Sequence, residues 1–173
     1  MSEQKNKTEL LAPAGSVSGL KAALTGGADA VYLAGKRFGA RAFAANFDEQ
    51  SLKWARRVTR SLRKKLYITL NTIVFENEQK LLKETLDFYE ILQPDALIVQ
   101  DLGIAAELRR RKSKIPIHLS TQGTWFGQGG IKQLKELGIT RVILPRETTA
   151  QEIEHIVKTS PFEIEVFVHG AMC

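Results

Sequence analysis

Short apolar runs alternate with amphipathic stretches from residue 9 onward, with no linker or low-complexity tract between them. The runs are Glu9–Ala14, Ala30–Ala34, Leu66–Val74, Ala96–Gln100, Ile115–Ser120, Arg141–Pro145 and Ile164–His169. They are nearly continuous in Leu, Ile, Val, Ala, Phe and Tyr. That composition predicts parallel strands covered on both faces, where simple in-and-out alternation is lost. Helical patterns fill the gaps: Ser16–Thr25, Asp48–Lys65, Asn77–Leu92, Leu102–Lys112, Gly129–Leu137 and Thr149–Lys158. Ser16, Asp48, Asn77 and Thr149 stand where N-caps belong, and Glu152 completes a capping box with Thr149. Gly26 and Gly138 stand where helices stop, because glycine tolerates the left-handed conformation there.

Seven strands separated by six helices form a strict β-α repeat, which closes either as an open doubly wound sheet or as an eight-fold barrel. No Gly-rich dinucleotide fingerprint follows the first strand, where Ala12-Pro13-Ala14-Gly15-Ser16 stands instead. The barrel is therefore the expected architecture: an α/β fold of the (β/α)8 TIM type, truncated after the seventh strand. Residues 1–7 are expected to be a disordered tail, and residues 8–173 an incomplete barrel, the N-terminal part of a longer protein.

Composition narrows the picture further. The chain has 173 residues, 43% hydrophobic and 25% charged, with one Cys, which excludes a disulfide scaffold and a disordered chain. Polar residues interrupt every apolar run well before the roughly 18 residues a spanning helix needs, so no membrane partner is expected. Met1–Lys7 lacks the apolar core of a secretory signal, and the expected location is cytoplasmic. Lys and Arg number 25 against 19 Asp and Glu, a net charge of +6 that suits an RNA, DNA or acidic partner. The second helix carries an apolar stripe of Leu52, Ala55, Val58 and Leu62, opposite a basic ridge of Arg56, Arg60, Arg63 and Lys64. Arg109-Arg110-Arg111-Lys112 adds a second basic run, and either one serves RNA contact or forms a solvated outer face.

In a β-α barrel the working residues gather at the C-terminal ends of the strands. Those positions hold Arg41 and Asn46 after the second strand, Asn71 in the third, Asp101 after the fourth, Gln122 after the fifth, and Arg146 and Glu147 after the sixth. The seventh adds His169 and Cys173. His169, Asp101 and Glu147 are the catalytic candidates, and Arg41, Asn46, Asn71, Gln122 and Arg146 the substrate-binding ones. Asp101 also stands where a helix cap belongs, and Arg146 with Glu147 also suits structural ion pairing. His169 suits acid-base work because its ordinary pKa lies near neutrality. His118 lies within a strand and is expected to pack, and His155 to be solvated. Cys173 reads equally as a small buried hydrophobe, a nucleophile beside His169, or a metal ligand. No CxxC, zinc spacing or GxSxG elbow occurs.

Five ordered motifs then carry a resemblance. Glu9-Leu10-Leu11-Ala12-Pro13-Ala14-Gly15, Gly27-Ala28-Asp29-Ala30-Val31-Tyr32, Pro116-Ile117-His118-Leu119-Ser120-Thr121-Gln122, Arg141-Val142-Ile143-Leu144-Pro145-Arg146-Glu147 and Glu165-Val166-Phe167-Val168-His169-Gly170-Ala171-Met172-Cys173 resemble the collagenase-like peptidase family, U-32. The resemblance implies two activities. One is the collagenase-like hydrolysis of peptides for which the family is named. The other is hydroxylation of an RNA base, in tRNA or rRNA, as better-defined relatives perform it with an iron-sulfur cluster held by four Cys and with prephenate as a co-substrate. Cys173 matches the first of those four ligands, and the family's other three lie beyond it, so the cluster is expected only in the intact protein. The hydroxylase implication accounts for more residues: Cys173 as ligand, Arg41 and Arg146 as anion binders, and the basic helices against RNA.

Overall fold

The computed structural model describes residues 8–40, 46–125, 127 and 129–170. Within them, seven strands alternate with six α-helices: β1 Leu11–Pro13, α1 Val17–Thr25, β2 Ala30–Ala34, α2 Glu49–Ser61, β3 Lys65–Leu70, α3 Gln79–Leu92, β4 Ala96–Val99, α4 Leu102–Arg110, β5 Ile117–Leu119, α5 Ile131–Glu136, β6 Ile139–Ile143, α6 Ala150–Thr159 and β7 Glu163–Glu165. Every strand pairs in parallel with the next in sequence, giving one sheet in the order β1 to β7. The sheet curls, with helices outside, into seven units of a TIM-type barrel.

Register explains why the strands are apolar on both faces. Inward positions line up across the sheet, with Pro13 beside Tyr32, Tyr32 beside Tyr67, and Tyr67 beside Ala96. Farther round, Ile98 lies beside His118, His118 beside Arg141, and Arg141 beside Glu163. Inside the curl Ala30, Tyr67, Ala96, Ile98 and Ile143 form a small cluster. The outward positions, such as Val31, Ile68, Leu97 and Val142, join helical Leu20, Leu52, Leu86 and Leu108 in the main core. Between Ile117 and His118 the pairing with β6 slips, because Thr140 is an extra residue on β6. The bulge changes the phase, so Arg141 rather than Thr140 faces inward.

The caps expected at Ser16, Asp48 and Thr149 are present: Ser16 Oγ accepts from the Gly19 amide, Asp48 Oδ1 from the Ser51 amide, and Thr149 with Glu152 forms the capping box. Asn77 is not a cap. A single 3-10 turn, Glu76–Glu78, precedes α3, and Glu78 accepts from the Phe75 amide instead. Gly26 has φ −71°, and the left-handed position falls to Gly27 at φ 94°; Gly138 takes it as expected, at φ 80°. The second helix was expected to reach Lys65. It ends at Ser61 because Arg63 turns left-handed, φ 54°, which frees Lys65 to open β3. The seventh strand is shorter than its apolar run, ending at Glu165. The proposed tail, residues 1–7, lies outside the described residues.

Arg141 is 9% exposed and sits inside the curl, with Nη1 2.8 Å from Glu9 and 3.2 Å from Glu165, and Nη2 2.6 Å from Glu163. Glu9 also accepts from Lys65 Nζ and the Tyr67 hydroxyl. Burial alone would raise the Glu9 carboxyl, but the hydrogen bonds from Lys65, Arg141 and Tyr67 outweigh it and hold it at about 2. His118 meets Tyr67 edge to face at 4.8 Å, and its buried Nδ1 has no hydrogen-bond partner. Burial, and then the Arg141 charge, push its pKa down to about 3, so the ring is neutral.

Two outcomes follow for stability. Arg141→Met leaves Glu163 and Glu165 without their cation and Glu9 with Lys65 as its remaining one, and is expected to cost on the order of 3–5 kcal/mol, measured by urea unfolding. For His118, the unfolded ring binds a proton below about 6.5 that the folded ring refuses until about 3. Stability therefore falls as pH drops through that window, by at most roughly 1.4 kcal/mol per pH unit. Glu9 adds its own loss between about 4.5 and about 2. His118→Phe is expected to flatten the unfolding free energy between pH 6.5 and 5 relative to the parent; equal slopes in both proteins would remove His118 from the acid response.

Candidate functional site in the barrel mouth

A cavity of about 400 Å³ opens at the C-terminal ends of the strands. Its walls include Pro13 and Gly15 after β1, Asn46 and Phe47 before α2, Thr69 and Asn71 at the end of β3, Ser120, Thr121 and Gln122 after β5, Arg146 and Glu147 after β6, and Glu165 and Phe167 from β7 onward. The strands end here with their backbone groups leaving the ladder, so side chains and turns replace them.

The geometry fixes one amide. The Ala40 amide donates to Asn71 Oδ1 at 3.1 Å, which leaves Asn71 Nδ2 to donate to Gln122 Oε1 at 2.9 Å. A backbone N–H cannot accept, so the orientation of Asn71 is settled, and Gln122 in turn keeps its carbonyl on Asn71 with its NH2 left over. Gln122 rides on a 3-10 turn, Thr121–Gly123, whose start is held by Ser120 Oγ accepting from the Gln122 amide at 3.4 Å. A Cβ at Gly123 would stand 2.6 Å from Leu119 Cδ1, so the turn lies that close to β5 only because residue 123 is glycine.

Arg146 has no carboxylate partner among the described residues; its guanidinium carbon lies 3.9 Å from the centre of the Phe167 ring. Ion pairing with Glu147, one of the readings open in the sequence, does not occur. The stacked guanidinium keeps its N–H edges available for a planar anion. Glu165 accepts from Arg141 beneath the cavity. Burial raises its carboxyl pKa above the ordinary value, and Arg141 offsets only part of that rise. The mouth thus holds donors, Arg146 and Gln122, above a carboxyl group able to keep its proton at higher pH than usual.

Five of the sequence-nominated residues, Asn46, Asn71, Gln122, Arg146 and Glu147, line this cavity. Asp101 does not. Its Oδ1 accepts from the Gly103 amide at the start of α4 and its Oδ2 from the Val74 amide, so its carboxylate serves the backbone. His169 is exposed and is not part of the lining. Arg41 and Cys173 lie outside the described residues. Glu165 and Phe167 were not nominated. The available signal was the period-two series Glu163, Glu165, Phe167, which places three residues on the inner face once β7 is recognised. Among the described residues no three His, Cys, Asp or Glu converge where a metal could be held, so these residues do not by themselves assemble a cluster site.

The model of peptidase family U32 matches residues 15–173. A tRNA hydroxylation protein P from Escherichia coli K12 is 37% identical over 96% of this chain and 37% of its own length. A 23S rRNA 5-hydroxycytidine synthase from the same organism is 36% identical over 100% of this chain and 26% of its own. The chain thus spans well under half the length of these curated relatives. Among solved structures, the U32 peptidase Mk0906 superposes with a TM-score of 0.75 at 13% identity, covering 96% of this chain and 70% of that one, which agrees with the fold. Extent of match, order of motifs and barrel topology agree, and the chain belongs to peptidase family U32.

Proposed function

We propose that the intact protein hydroxylates a base in tRNA or rRNA, and that the barrel mouth receives the base. The observation that carries this reading is the paired presentation of donors, the carboxylate-free Arg146 guanidinium on Phe167 and the Gln122 NH2 locked by Asn71, in a cavity large enough for a nucleobase. The relatives named for tRNA and rRNA hydroxylation support it. Single-stranded bases are read by hydrogen bonds to their edges and by stacking on guanidinium or aromatic planes, and this mouth offers both.

In this reading Gln122 donates to a carbonyl oxygen of the ligand and Asn71 is its positioning residue. Arg146 receives a carboxylate or an anionic oxygen, and prephenate as co-substrate suits that group. Glu165, whose carboxyl pKa burial raises above the ordinary value, lines the cavity beside the ligand with Arg141 on its other side. An iron-sulfur cluster belongs to the intact protein, with Cys173, the chain's single cysteine, as one thiolate. No histidine among the described residues lines the cavity, so it offers no hydroxyl–imidazole pair of the kind one route of peptide hydrolysis uses.

The test is nucleoside mass spectrometry of tRNA and rRNA from cells that produce the intact protein as their only copy. Arg146→Ala is expected to lower the hydroxylated nucleoside at least tenfold. Asn71→Asp cannot donate to Gln122, so the amide turns its NH2 onto the new carboxylate and offers its carbonyl to the ligand, with a comparable expected loss. Unchanged thermal melting in both variants separates these effects from unfolding. RNA that stays unmodified with the parent protein, alongside cleavage of gelatin, would return the reading to peptide hydrolysis.

A further inference from the structure

The basic ridge of α2 is not the one its sequence suggests. Arg56, expected to be outward, is 8% exposed and is held by Asp95 at the foot of β4, which also accepts from the Leu66 amide. The outward ridge is Lys53, Arg57 and Arg60, at helical spacing, all exposed and without an ion pair among the described residues. The basic run of α4 behaves differently: Arg110 and Arg111 are both engaged by Glu107, and Arg111 also by Asp87. The two runs look alike in sequence, but the second ties two of its four cations to carboxylates and leaves only Arg109 and Lys112 exposed without an ion pair among the described residues, whereas Lys53, Arg57 and Arg60 are all open.

That ridge borders a groove of about 780 Å³ against α3, whose lining holds the three open cations, Arg56 already held by Asp95, and no carboxylate. Apolar and aromatic groups complete it. Phe88 lies 5.6 Å from Lys53 Nζ, Trp54 lies 6.0 Å from Lys21 Nζ, and Ile91 is 79% exposed. A cationic groove with aromatic faces suits a single nucleic-acid strand, whose phosphates meet the cations while bases stack. Its position also fits. Asn46 and Phe47, which line the barrel mouth, lead directly through the Asp48 cap into α2. From Lys53 to Arg60 the helix advances roughly 10 Å, enough for two or three phosphates.

We infer that the Lys53–Arg57–Arg60 groove between α2 and α3 is a docking surface for the single-stranded RNA flanking the base held in the mouth. The inference rests on the RNA reading proposed above, but its test reads binding rather than modification. The present chain is titrated against a fluorescein-labelled 12-nucleotide single-stranded RNA by anisotropy, from 50 to 200 mM KCl. Arg57→Gln with Arg60→Gln is expected to weaken binding at least tenfold at 50 mM. The slope of log affinity against log salt should shrink by about 1.4, at ~0.7 for each phosphate no longer neutralised. Lys132→Gln with Lys135→Gln removes the same charge from exposed positions on α5 and is expected to stay within twofold of the parent. Arg57→Lys with Arg60→Lys, which retains the charges, should keep the parent's slope, and an unchanged thermal melt of the Gln variant shows that its loss is not unfolding.

Equal losses from α2 and α5 would reduce the effect to net charge and overturn the groove. So would unchanged RNA binding in the α2 variant, or a loss confined to phosphatidylserine vesicles. A parent chain that binds no RNA under any of these conditions overturns the groove and weakens the RNA reading with it. Binding that survives the ridge substitutions overturns the groove alone.

Discussion

Arg141 reaches three separate carboxylates inside the curl of the sheet, and through Glu9 it touches the residues that open β1 and β3 as well as those of its neighbour β7. No strand among the described residues pairs β1 with β7, so backbone hydrogen bonds do not connect the two ends of the sheet. The guanidinium does so through side chains. A buried cation needs such company: burial works against its charge, and the Glu9 and Glu163 hydrogen bonds reverse that penalty and leave its pKa above the ordinary value. The same charge discourages protonation of His118 and supports the underside of the mouth through Glu165. Polarity inside this curl is therefore concentrated around one residue, and the remaining interior is small and apolar.

What the sequence revealed, and what it hid, divides along a physical line. Strand and helix identities were legible because they depend on local composition and on caps such as Asp48 and Thr149, whose hydrogen bonds reach only three residues. Side-chain direction was less so. Arg56 looks like any surface arginine until Asp95, thirty-nine residues later, is seen to draw it inward. Arg141 would face the helices if Thr140 did not add one residue to its strand, and a bulge has no compositional mark strong enough to read. The mouth was legible where its polar residues follow apolar runs, as with Asn71, Gln122 and Arg146. It was not legible at Glu165 and Phe167, where a short strand within a motif-rich segment hides the alternation.

The mouth shows how a polar pocket gains direction from backbone groups. Asn71, Gln122 and the Ala40 amide form a chain in which each donor leaves its neighbour one choice, so that a side chain free to rotate presents a defined face. Arg146 is restrained by other means. Its plane rests on Phe167, and Gly170, at φ 126°, comes close enough that a Cβ there would lie 3.5 Å from both terminal nitrogens. Hydrogen bonding on one side and stacking on the other hold two different donors toward one space without either forming an ion pair.

The strictly sequential strand order also says something about how the chain acquires its structure. Each strand finds its partner among the residues just before or just after it, across one helix, so the loops closed at each step stay short and the contacts remain local. The Glu9–Arg141 contact spans 132 residues and is of another kind. Closing a loop of that length costs more chain entropy than any of the neighbouring strand pairings, so the contact depends on the sheet that brings its two ends together.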